Sequence, residues 1–499
     1  MPTIKNFTPR NYQTKITQTA VDNNTLVVLP TGTGKTKIAI LTAIERLNQH
    51  SSNILVISPT KPLSAQIQKE FIENTDIPEA QITLLTGATS PKKRQELWES
   101  AIVTVATPQT IQKDLENERI SLSPTSLLVI DECHRSRMNF ANTKVAEIYI
   151  KNSKFPRILA LTASPGGTKQ KIDEIRNNLH IDSIEIRTEE DIQEFIQKKE
   201  IKYLEVSLPS EFKALHQLIR NPYKNKLKEL KKLGFNKPVS VINKRDLLML
   251  QQRFRKQLNQ KNPISYYAIS LTALLIKLDY AAELLETQGL IPLQEFWNKL
   301  QAEETKAAKN ILNFSEIQKA LSLTQDLIKK DAQHPKAYML KGIIKKELIK
   351  NPKAKFIIFA NYRNTIDTLL TKLNSLENIK AAKLIGQKSG LTQKEQISTI
   401  KDFSEDKYNI LLCSQIGEEG IDVPGGAELA VFYDFVPSEI RGIQRRGRVG
   451  RTKAGKIISL LTKDTREIGY FWASKRKENM MKNTLKNLQE KETQTTLHD

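Results

Sequence analysis

Cysteine is scarce in this sequence of 499 residues, which contains only Cys133 and Cys413. Two cysteines cannot form a disulfide framework or a four-cysteine zinc site, and the six histidines are scattered without zinc-binding spacing. The chain also has no run of 18 apolar residues, and residues 1–10 contain no apolar signal core. These absences predict a cytoplasmic protein in a reducing compartment, with no membrane partner.

Acidic residues are also under-represented, with 55 Asp and Glu against 77 Lys and Arg, which gives a formal net charge of +22. Such an excess favours a polyanionic partner, most often nucleic acid, although a generally lysine-rich proteome produces the same balance. The length predicts two to four domains.

Short apolar runs alternate with helical stretches in two parts of the chain, a pattern typical of parallel sheets covered by helices. In the first part the predicted strands are 26–29, 54–57, 102–105, 127–130 and 158–161. In the second part they are 356–359, 381–385, 410–412, 429–433 and 457–461.

Between these two α/β units, at about 208–335, strand-like runs give way to long helical stretches. Within this helical region, the segment from Arg220 to Lys261 contains about thirteen Lys and Arg, with aromatic residues among them. A run of like charge is often only a solvated helix face. The interspersed aromatics favour a nucleic-acid contact, for which the candidates are Lys231, Lys232, Arg253 and Arg255. The predicted domains are 1–205, 206–335 and 336–480, followed by a polar tail at 481–499.

A glycine-rich turn follows the first predicted strand and precedes a helix. Glycine permits the backbone conformation and the close approach that a phosphate group needs, and a helix N-terminus favours anions. Lys35 is predicted to reach the β and γ phosphates, and Thr36 to place its hydroxyl on Mg²⁺. Leu29 stands where the stricter motif has a glycine. The predicted ATP-binding residues here are Thr31, Gly32, Thr33, Gly34, Lys35 and Thr36.

Two carboxylates, Asp131 and Glu132, follow the apolar strand 127–130. The carboxyl end of a parallel strand lies at the edge of the sheet where ligands bind. Asp131 is predicted to hold Mg²⁺ and Glu132 to orient and activate the attacking water. The segment Thr162-Ala163-Ser164 follows the next strand, and its hydroxyls are predicted to bond to the segment from Asp131 to His134.

An arginine-rich segment in the second unit supplies the other predicted catalytic residues, Gln444, Arg448 and Arg451. An arginine from a facing domain stabilises the charge that develops on a transferred phosphoryl group. Arg445 and Arg446 fit structural salt bridges equally well. In the preceding loop, Gly420 and Asp422 are predicted to lie close to the nucleotide, with Asp422 accepting a hydrogen bond from the ribose.

Together these segments resemble the superfamily 2 helicases and translocases, in the same order along the chain. By this resemblance Arg10 and Gln13 correspond to the adenine-reading segment. Three further segments look like the family's loops that contact the nucleic-acid backbone, and they carry Thr60, Lys61, Thr86, Gly87, Thr107 and Gln109. Contacts of this kind read phosphates rather than bases.

Further segments look like those of the archaeal Hef helicases, among them Gly386-Gln387, the segment 437–441 and Trp472 with the basic run 475–477. The resemblance, which covers about 1–480, implies two RecA-like parallel-sheet domains in tandem with an α-helical insert between them. It also implies an ATP- and Mg²⁺-dependent motor on forked or branched DNA, moving 3′ to 5′ in DNA repair and associated with the nucleoid.

Hef proteins also carry a nuclease after the motor, marked by Glu-Arg-Lys-x-x-x-Asp, and this signature is absent here. We therefore expect no nuclease activity, and a separate nuclease or clamp protein is an expected partner. Two other interpretations stay open. One is a duplex-RNA-activated ATPase similar to the RIG-I and Dicer motors, and the other is a non-catalytic branched-DNA-binding module, against which the intact Lys35 and Glu132 argue.

Overall fold

The computed structural model describes residues 1–138, 140–166, 168–195, 200–233, 235, 237–238, 242–257, 263–386, 390–414, 427–435 and 455–495. In this part of the chain, no helix carries a stretch long and apolar enough to cross a membrane.

The first domain contains a parallel sheet in the strand order β3-β4-β2-β5-β6-β1-β7. Its strands are β1 (Thr25–Val28), β2 (Asn53–Ile57), β3 (Ile82–Leu85), β4 (Val103–Ala106), β5 (Thr125–Ile130), β6 (Ile158–Thr162) and β7 (Ser183–Ile186). Its helices are α1 (Asn11–Asp22), α2 (Lys35–Gln49), α3 (Lys61–Asn74), α4 (Pro91–Ser100), α5 (Pro108–Glu116), α6 (Ala141–Asn152) and α7 (Lys169–Asn178).

Both faces of this sheet are covered, because successive side chains of each strand enter opposite apolar clusters. Leu26 and Val28 of β1 pack in one cluster, whereas Val27 and Leu29 pack in the other. A strand buried on both faces must be apolar throughout, which explains the continuous apolar runs in the sequence.

The insert is a bundle of helices that follows the first domain in the chain. It comprises α8 (Ser210–Lys232), α9 (Lys244–Lys256), α10 (Pro263–Thr287), α11 (Leu290–Gln301), α12 (Lys306–Leu312) and α13 (Ser315–Lys329). A single apolar cluster runs through it, with Trp297 fully buried and α10 packed against α8 and α9.

The second sheet is also parallel, in the order β10-β11-β9-β12-β13-β8. Its strands are β8 (Glu200–Val206), β9 (Phe356–Phe359), β10 (Ala381–Leu384), β11 (Ile410–Cys413), β12 (Leu429–Phe432) and β13 (Lys456–Thr462). The helices of this part of the chain are α14 (Pro335–Lys350), α15 (Arg363–Asn374), α16 (Gln393–Ser404) and α17 (Arg466–Thr495). The predicted fold class, two parallel-sheet α/β units with a helical insert between them, is confirmed.

Two segments lie differently from the domain limits expected from the sequence. Residues 200–205 were expected in the first domain, but β8 pairs with β13 at the edge of the second sheet. An edge strand is largely exposed and lacks the apolar run of a central strand, so the sequence pattern carries little signal for it. Residues 481–499 were expected to form a polar tail, but Met481 and Leu485 of α17 are buried in the apolar cluster of the first domain.

A group of buried charges joins the insert to the second domain. Arg466, at the start of α17, contacts Asp279, Glu283 and Glu286 of α10, with its Nε atom 2.8 Å from a carboxylate oxygen of Glu286. Burial opposes ionisation of Glu286, but the hydrogen bond from His216 and the charge of Arg466 outweigh it and lower the pKa of Glu286 to about 2. Paired charges therefore hold the insert and the second domain together. Removing one member of such a pair leaves a buried charge without its partner, which strongly lowers stability.

Candidate functional site

The glycine-rich turn forms a short loop between β1 and α2. Gly32 and Gly34 have φ of 80° and 84°, in the left-handed region that glycine adopts without strain. A Cβ atom on Gly34 would lie 2.5 Å from Nε2 of Gln13, so glycine is required there for space as well. Thr33 closes the loop by donating from its hydroxyl to the Pro30 carbonyl at 2.7 Å. The loop leads into the N-terminus of α2, where free backbone N–H groups favour an anion.

Lys35 is the first residue of α2, and its amine folds back onto the loop. Nζ donates to the carbonyl oxygens of Leu29 at 3.2 Å and Pro30 at 3.3 Å. A phosphate group at the helix N-terminus offers stronger, charged acceptors to the same amine. The Lys35 amine therefore lies against the loop, at the N-terminus of α2.

The residues predicted to read adenine are attached directly to this loop. Gln13 donates from Nε2 to the carbonyl oxygens of Thr33 at 3.4 Å and Gly34 at 3.5 Å, and its Oε1 accepts from the Arg10 backbone N–H at 3.0 Å. Tyr12, which the sequence analysis did not single out, donates its hydroxyl to the Thr33 carbonyl. Hydrogen bonds thus join the loop to the segment that carries Arg10 and Gln13.

Phe195 completes this arrangement from the far end of the first domain. The guanidinium carbon of Arg10 lies 4.6 Å from the Phe195 ring centroid, and the Tyr12 ring lies 5.5 Å from it. Ile192, buried in the first-domain core, holds the segment in place. No local pattern marks Phe195 in the sequence, because its contacts join residues about 185 positions apart.

Asp131 and Glu132 follow β5 at the same edge of the sheet as the phosphate loop, with β6 between their two strands. The Asp131 backbone N–H donates to the Ile57 carbonyl at 3.0 Å. Burial, together with the neighbouring charge of Glu132, raises the pKa of Asp131 to about 7, against an opposing effect of Lys35. Glu132 has φ of 50°, a strained backbone for a residue with a side chain and one often found at functional sites.

The predicted hydrogen bonds between the carboxylate segment and Thr162-Ala163-Ser164 run through His134. Its Nδ1 atom lies 3.2 Å from a carboxylate oxygen of Glu132 and 3.2 Å from the hydroxyl of Thr162. The Thr162 hydroxyl in turn accepts from the Ser164 backbone N–H at 3.0 Å. Glu132 is therefore linked by successive contacts to the residues that follow β6.

The residues present suit a magnesium ion. Thr36 in the first turn of α2 and Asp131 after β5 offer a hydroxyl and a carboxylate, and Mg²⁺ prefers such oxygen ligands together with phosphates and water. A half-buried carboxylate with a raised pKa is one that a nearby cation would keep ionised. Thr36 and Asp131 would hold the ion, which would draw charge from the phosphate oxygens.

The three loops predicted to contact a nucleic-acid backbone follow β2, β3 and β4, which are neighbours in the sheet. Their threonine hydroxyls already take part in local structure: Thr60 accepts from Leu63 N at 3.4 Å, and Thr86 accepts from Ala88 N at 3.3 Å. A hydroxyl that accepts one bond still has its own proton to donate to a phosphate.

Among the other residues of these loops, Gly87 and Gln109 are exposed and Lys61 is half-buried. The Thr107 hydroxyl is buried and lies 2.8 Å from that of Thr110, so its role in the structure is a local turn. The sheet thus brings the predicted backbone-binding residues to one edge, with Thr107 directed inward.

The predicted basic residues of the insert lie on its surface. Lys231 and Lys232 are exposed in the last turn of α8, and Arg253 and Arg255 are exposed on α9. Exposed apolar side chains occur on α9 and on the next helix, with Met249 of α9 and Tyr266 of α10 each at 59% of their full exposure. Cations beside exposed aromatic and apolar groups suit a nucleic acid, which offers both phosphates and base faces.

The predicted catalytic residues of the second domain, Gln444, Arg448 and Arg451, lie outside the described residues, as do Gly420 and Asp422. Their assignment stays a prediction. Within the described chain, β11 and β12 are the strands that precede the two segments containing them.

Two α/β sheets in tandem, with a phosphate loop and a half-buried carboxylate pair at one edge of the first, define a phosphate-loop ATPase of the motor type. Three family profiles match the chain: "DEAD/DEAH box helicase" at 10–172, "Putative ATP-dependent RNA helicase, helical bundle" at 211–333, and "Helicase conserved C-terminal domain" at 336–453.

The crystal structure of the Pyrococcus furiosus Hef helicase domain is 39% identical, with a TM-score of 0.73, and the match covers 93% of this chain and 98% of that one. A protein of Methanocaldococcus jannaschii named as a putative ATP-dependent RNA helicase is 37% identical, over 97% of this chain and 61% of that protein. The Schizosaccharomyces pombe ATP-dependent DNA helicase fml1 is 32% identical, over 93% of this chain and 58% of its own length. This chain belongs to the superfamily 2 helicases, in the group that includes the Hef helicase domain and the fungal DNA helicases of this type.

Proposed function

We propose that this protein is an ATP-dependent helicase or translocase that acts on forked or branched DNA. The observation that carries the proposal is the position of Lys35 and the Asp131–Glu132 pair at one edge of the first sheet, with glycines at positive φ in the loop between β1 and α2. In this proposal Lys35 binds the phosphates, Thr36 and Asp131 hold Mg²⁺, and Glu132 orients the attacking water.

The second half of the proposed ATP site comes from the second domain. Gln444, Arg448 and Arg451 would contact the γ phosphate when the two domains close, and Gly420 and Asp422 would lie beside the nucleotide. An arginine supplied in this way is worth roughly 10³–10⁵ in rate in related NTPases. Closure around ATP would then move the two domains along the nucleic acid.

DNA is the proposed substrate, and several observations support it. The net charge of +22 and the exposed cations of α8 and α9 suit a polyanion. The S. pombe relative, 32% identical, is named as a DNA helicase. We further propose that the protein moves from 3′ to 5′ and acts at stalled forks or Holliday junctions in DNA repair. Its proposed location is intracellular, at the nucleoid, and its proposed partner is a separate nuclease or clamp protein. The absence of nuclease activity also stays a prediction.

Duplex RNA is the second candidate substrate, favoured by the name of the M. jannaschii relative, a putative ATP-dependent RNA helicase. Both candidates require ATP turnover, whereas a non-catalytic branched-DNA-binding module does not. One assay separates all three: ATP hydrolysis with a fork, a Holliday junction, linear duplex DNA or duplex RNA present.

We expect forked DNA to stimulate hydrolysis more than duplex RNA does. The opposite order would favour the RNA-activated ATPase. Lys35→Ala and Glu132→Gln should abolish the stimulated hydrolysis and leave DNA binding near that of the wild type, since neither residue lies on the proposed DNA surface. Turnover that survives in both variants would contradict the assignment of the site.

A further inference from the structure

Helix α17 is fixed at its start to both the second domain and the insert. Arg466 is bound by Asp279 and Glu286 of the insert, and the next residue, Glu467, forms a fully buried ion pair with Lys336 at 2.5 Å. Paired charges out of contact with water hold a defined geometry, because each partner is costly to leave alone. The direction of α17 is therefore set by these two parts of the molecule.

Further along, the same helix enters the core of the first domain. Met481 and Leu485 are 4% and 7% exposed and belong to the apolar cluster that contains Ile158 of β6 and Ile184 of β7. From Glu467 to Met481 the helix spans about 21 Å, at ~1.5 Å per residue. One continuous helix thus connects the core of the first domain to the charged junction of the other two parts.

Met481 of α17 also makes a polar contact with a residue of the first domain, Ser164. The Ser164 hydroxyl lies 3.1 Å from its sulfur atom, and both groups are buried. Thioether sulfur is a weak acceptor, so the contact contributes mainly by placing the two groups against each other. Ser164 is the last residue of the series of polar contacts that begins at Glu132 and passes through His134 and Thr162.

We propose that Met481 is a positioning residue that couples the placement of the second domain and insert to the carboxylate Glu132. This rests on the proposed function, in which Glu132 orients the attacking water. When the two other parts move, α17 moves with Arg466 and Glu467, and Met481 shifts against Ser164. The shift reaches Glu132 through Thr162 and His134, so that hydrolysis is fastest only in one arrangement of the domains.

The test compares three single alanine variants in fork-stimulated ATP hydrolysis. Met481→Ala should lower the stimulated kcat about tenfold, within the range found for coupling residues, while the KM for ATP changes less than about twofold. Leu485→Ala removes a similarly buried apolar side chain of the same cluster, which has no atom that could accept a hydrogen bond from Ser164. Met480→Ala removes the neighbouring side chain, which is 54% exposed. Both of these variants should keep kcat within about twofold.

The thermal unfolding midpoint of each variant separates coupling from loss of stability. If Leu485→Ala lowers kcat as much as Met481→Ala does, any loss of buried volume in α17 slows hydrolysis and Met481 has no special role. That result would overturn the proposal. A wild-type kcat in a folded Met481→Ala protein would overturn it as well. Under either of these outcomes, fork-stimulated ATP hydrolysis by the wild type still supports the proposed function. A wild-type protein without fork-stimulated hydrolysis would overturn both the proposed function and the role of Met481.

A double-mutant cycle gives an independent readout. If Ser164 and Met481 lie on one path, Ser164→Ala and Met481→Ala together should lower kcat no more than the larger single effect. Met481→Leu, which keeps the volume of the side chain, should restore most of the rate if packing transmits the shift. Additive losses in the double variant, or a Met481→Leu protein as slow as Met481→Ala, would contradict the proposal.

Discussion

The guanidinium group of Arg10 stacks over the ring of Phe195, with 4.6 Å between the guanidinium carbon and the ring centroid. Arg10 belongs to the segment attached to the phosphate loop, and Phe195 is the last described residue of the first domain before the chain continues to β8. The residue predicted to read adenine is therefore held by the segment that leads out of the domain.

Replacement of Phe195 by alanine should raise the KM for ATP by roughly 2- to 5-fold, because a partly exposed cation–π contact contributes about 0.5–1 kcal/mol. The KM for GTP should change less, since Arg10 is predicted to read adenine. Phe155→Ala is the matched control: its exposure is 41% against 39% for Phe195, and it stacks on His50 away from the loop. Steady-state kinetics with both nucleotides check this, and equal changes for ATP and GTP would contradict it.

Charge reversal of the insert's basic residues should lower the affinity for forked DNA. It should also make that affinity less dependent on the salt concentration. Each phosphate contact that is lost should reduce the slope of log K against log salt by roughly 0.7–0.9. The variant replaces Lys231, Lys232, Arg253 and Arg255 by glutamate. A control with the same change in net charge reverses four exposed lysines on or next to α13 and α14, namely Lys329, Lys330, Lys345 and Lys346. Fluorescence anisotropy over a salt series measures both slopes, and a slope unchanged from the wild type would make the basic face only a solvated surface.

Arg466→Met should lower the stability of the junction between insert and second domain by about 3–5 kcal/mol, because it leaves buried carboxylates without their counter-charge. Asp279, Glu283 and Glu286 are the groups left behind. Lys463→Met, at an exposed position three residues earlier, is the control. Thermal unfolding and limited proteolysis measure the effect, and equal midpoints for the two variants would show that the buried charges contribute little.

His334 should make stability depend on pH. Its Nδ1 atom faces the Lys336 backbone N–H at 3.3 Å and its Nε2 atom faces the Glu286 carbonyl at 3.1 Å, so the neutral ring satisfies both. Burial, and to a smaller extent the charge of Lys336, lower the pKa of His334 to about 3. Because this lies below the unfolded value of about 6.5, the stabilisation is complete above that pH and falls by about 1.4 kcal/mol per pH unit as the pH drops toward 3.

Thermal unfolding midpoints at pH 7 and pH 5 test this expectation. The wild type should lose more stability between these values than His334→Gln does. His180→Asn serves as the control, since His180 is exposed and its positive φ suits asparagine. An identical pH response in wild type and His334→Gln would assign the effect to other groups.

The phosphate loop and the carboxylate pair were predictable because each is a short continuous segment in a strand–turn context. Gly34 and Lys35 lie next to each other in the sequence, and so do Asp131 and Glu132. Phe195 and Met481 were not predicted, since their partners Arg10 and Ser164 are remote in the chain and only the fold brings them together. The burial of Thr107 could not be predicted from the sequence either. A threonine after a strand has the same sequence pattern whether its hydroxyl faces the core or the solvent.

The two sheets were predictable from apolar runs, and so was the edge strand β10, but the edge strands β7 and β8 were not. Strand β7 alternates buried and half-buried residues, and β8 is mostly exposed, so neither shows the continuous apolar run of a central strand. The helical insert was evident from its long helical stretches. The charged junction at Arg466 was not, because its acidic partners on α10 are spread along a helix in another part of the chain.

The pairing of β8 with β13 also determines when the second domain can be completed during synthesis. Glu200 lies opposite Lys456, and Val206 lies opposite Thr462, so the first strand of this sheet is made long before its neighbour. At about 5–20 residues per second, the ribosome needs roughly 10–50 s to reach the partner strand. Throughout that time the segment that becomes β8 lacks the strand with which it pairs, and its charged residues Glu200, Lys202 and Glu205 would discourage pairing with other chains.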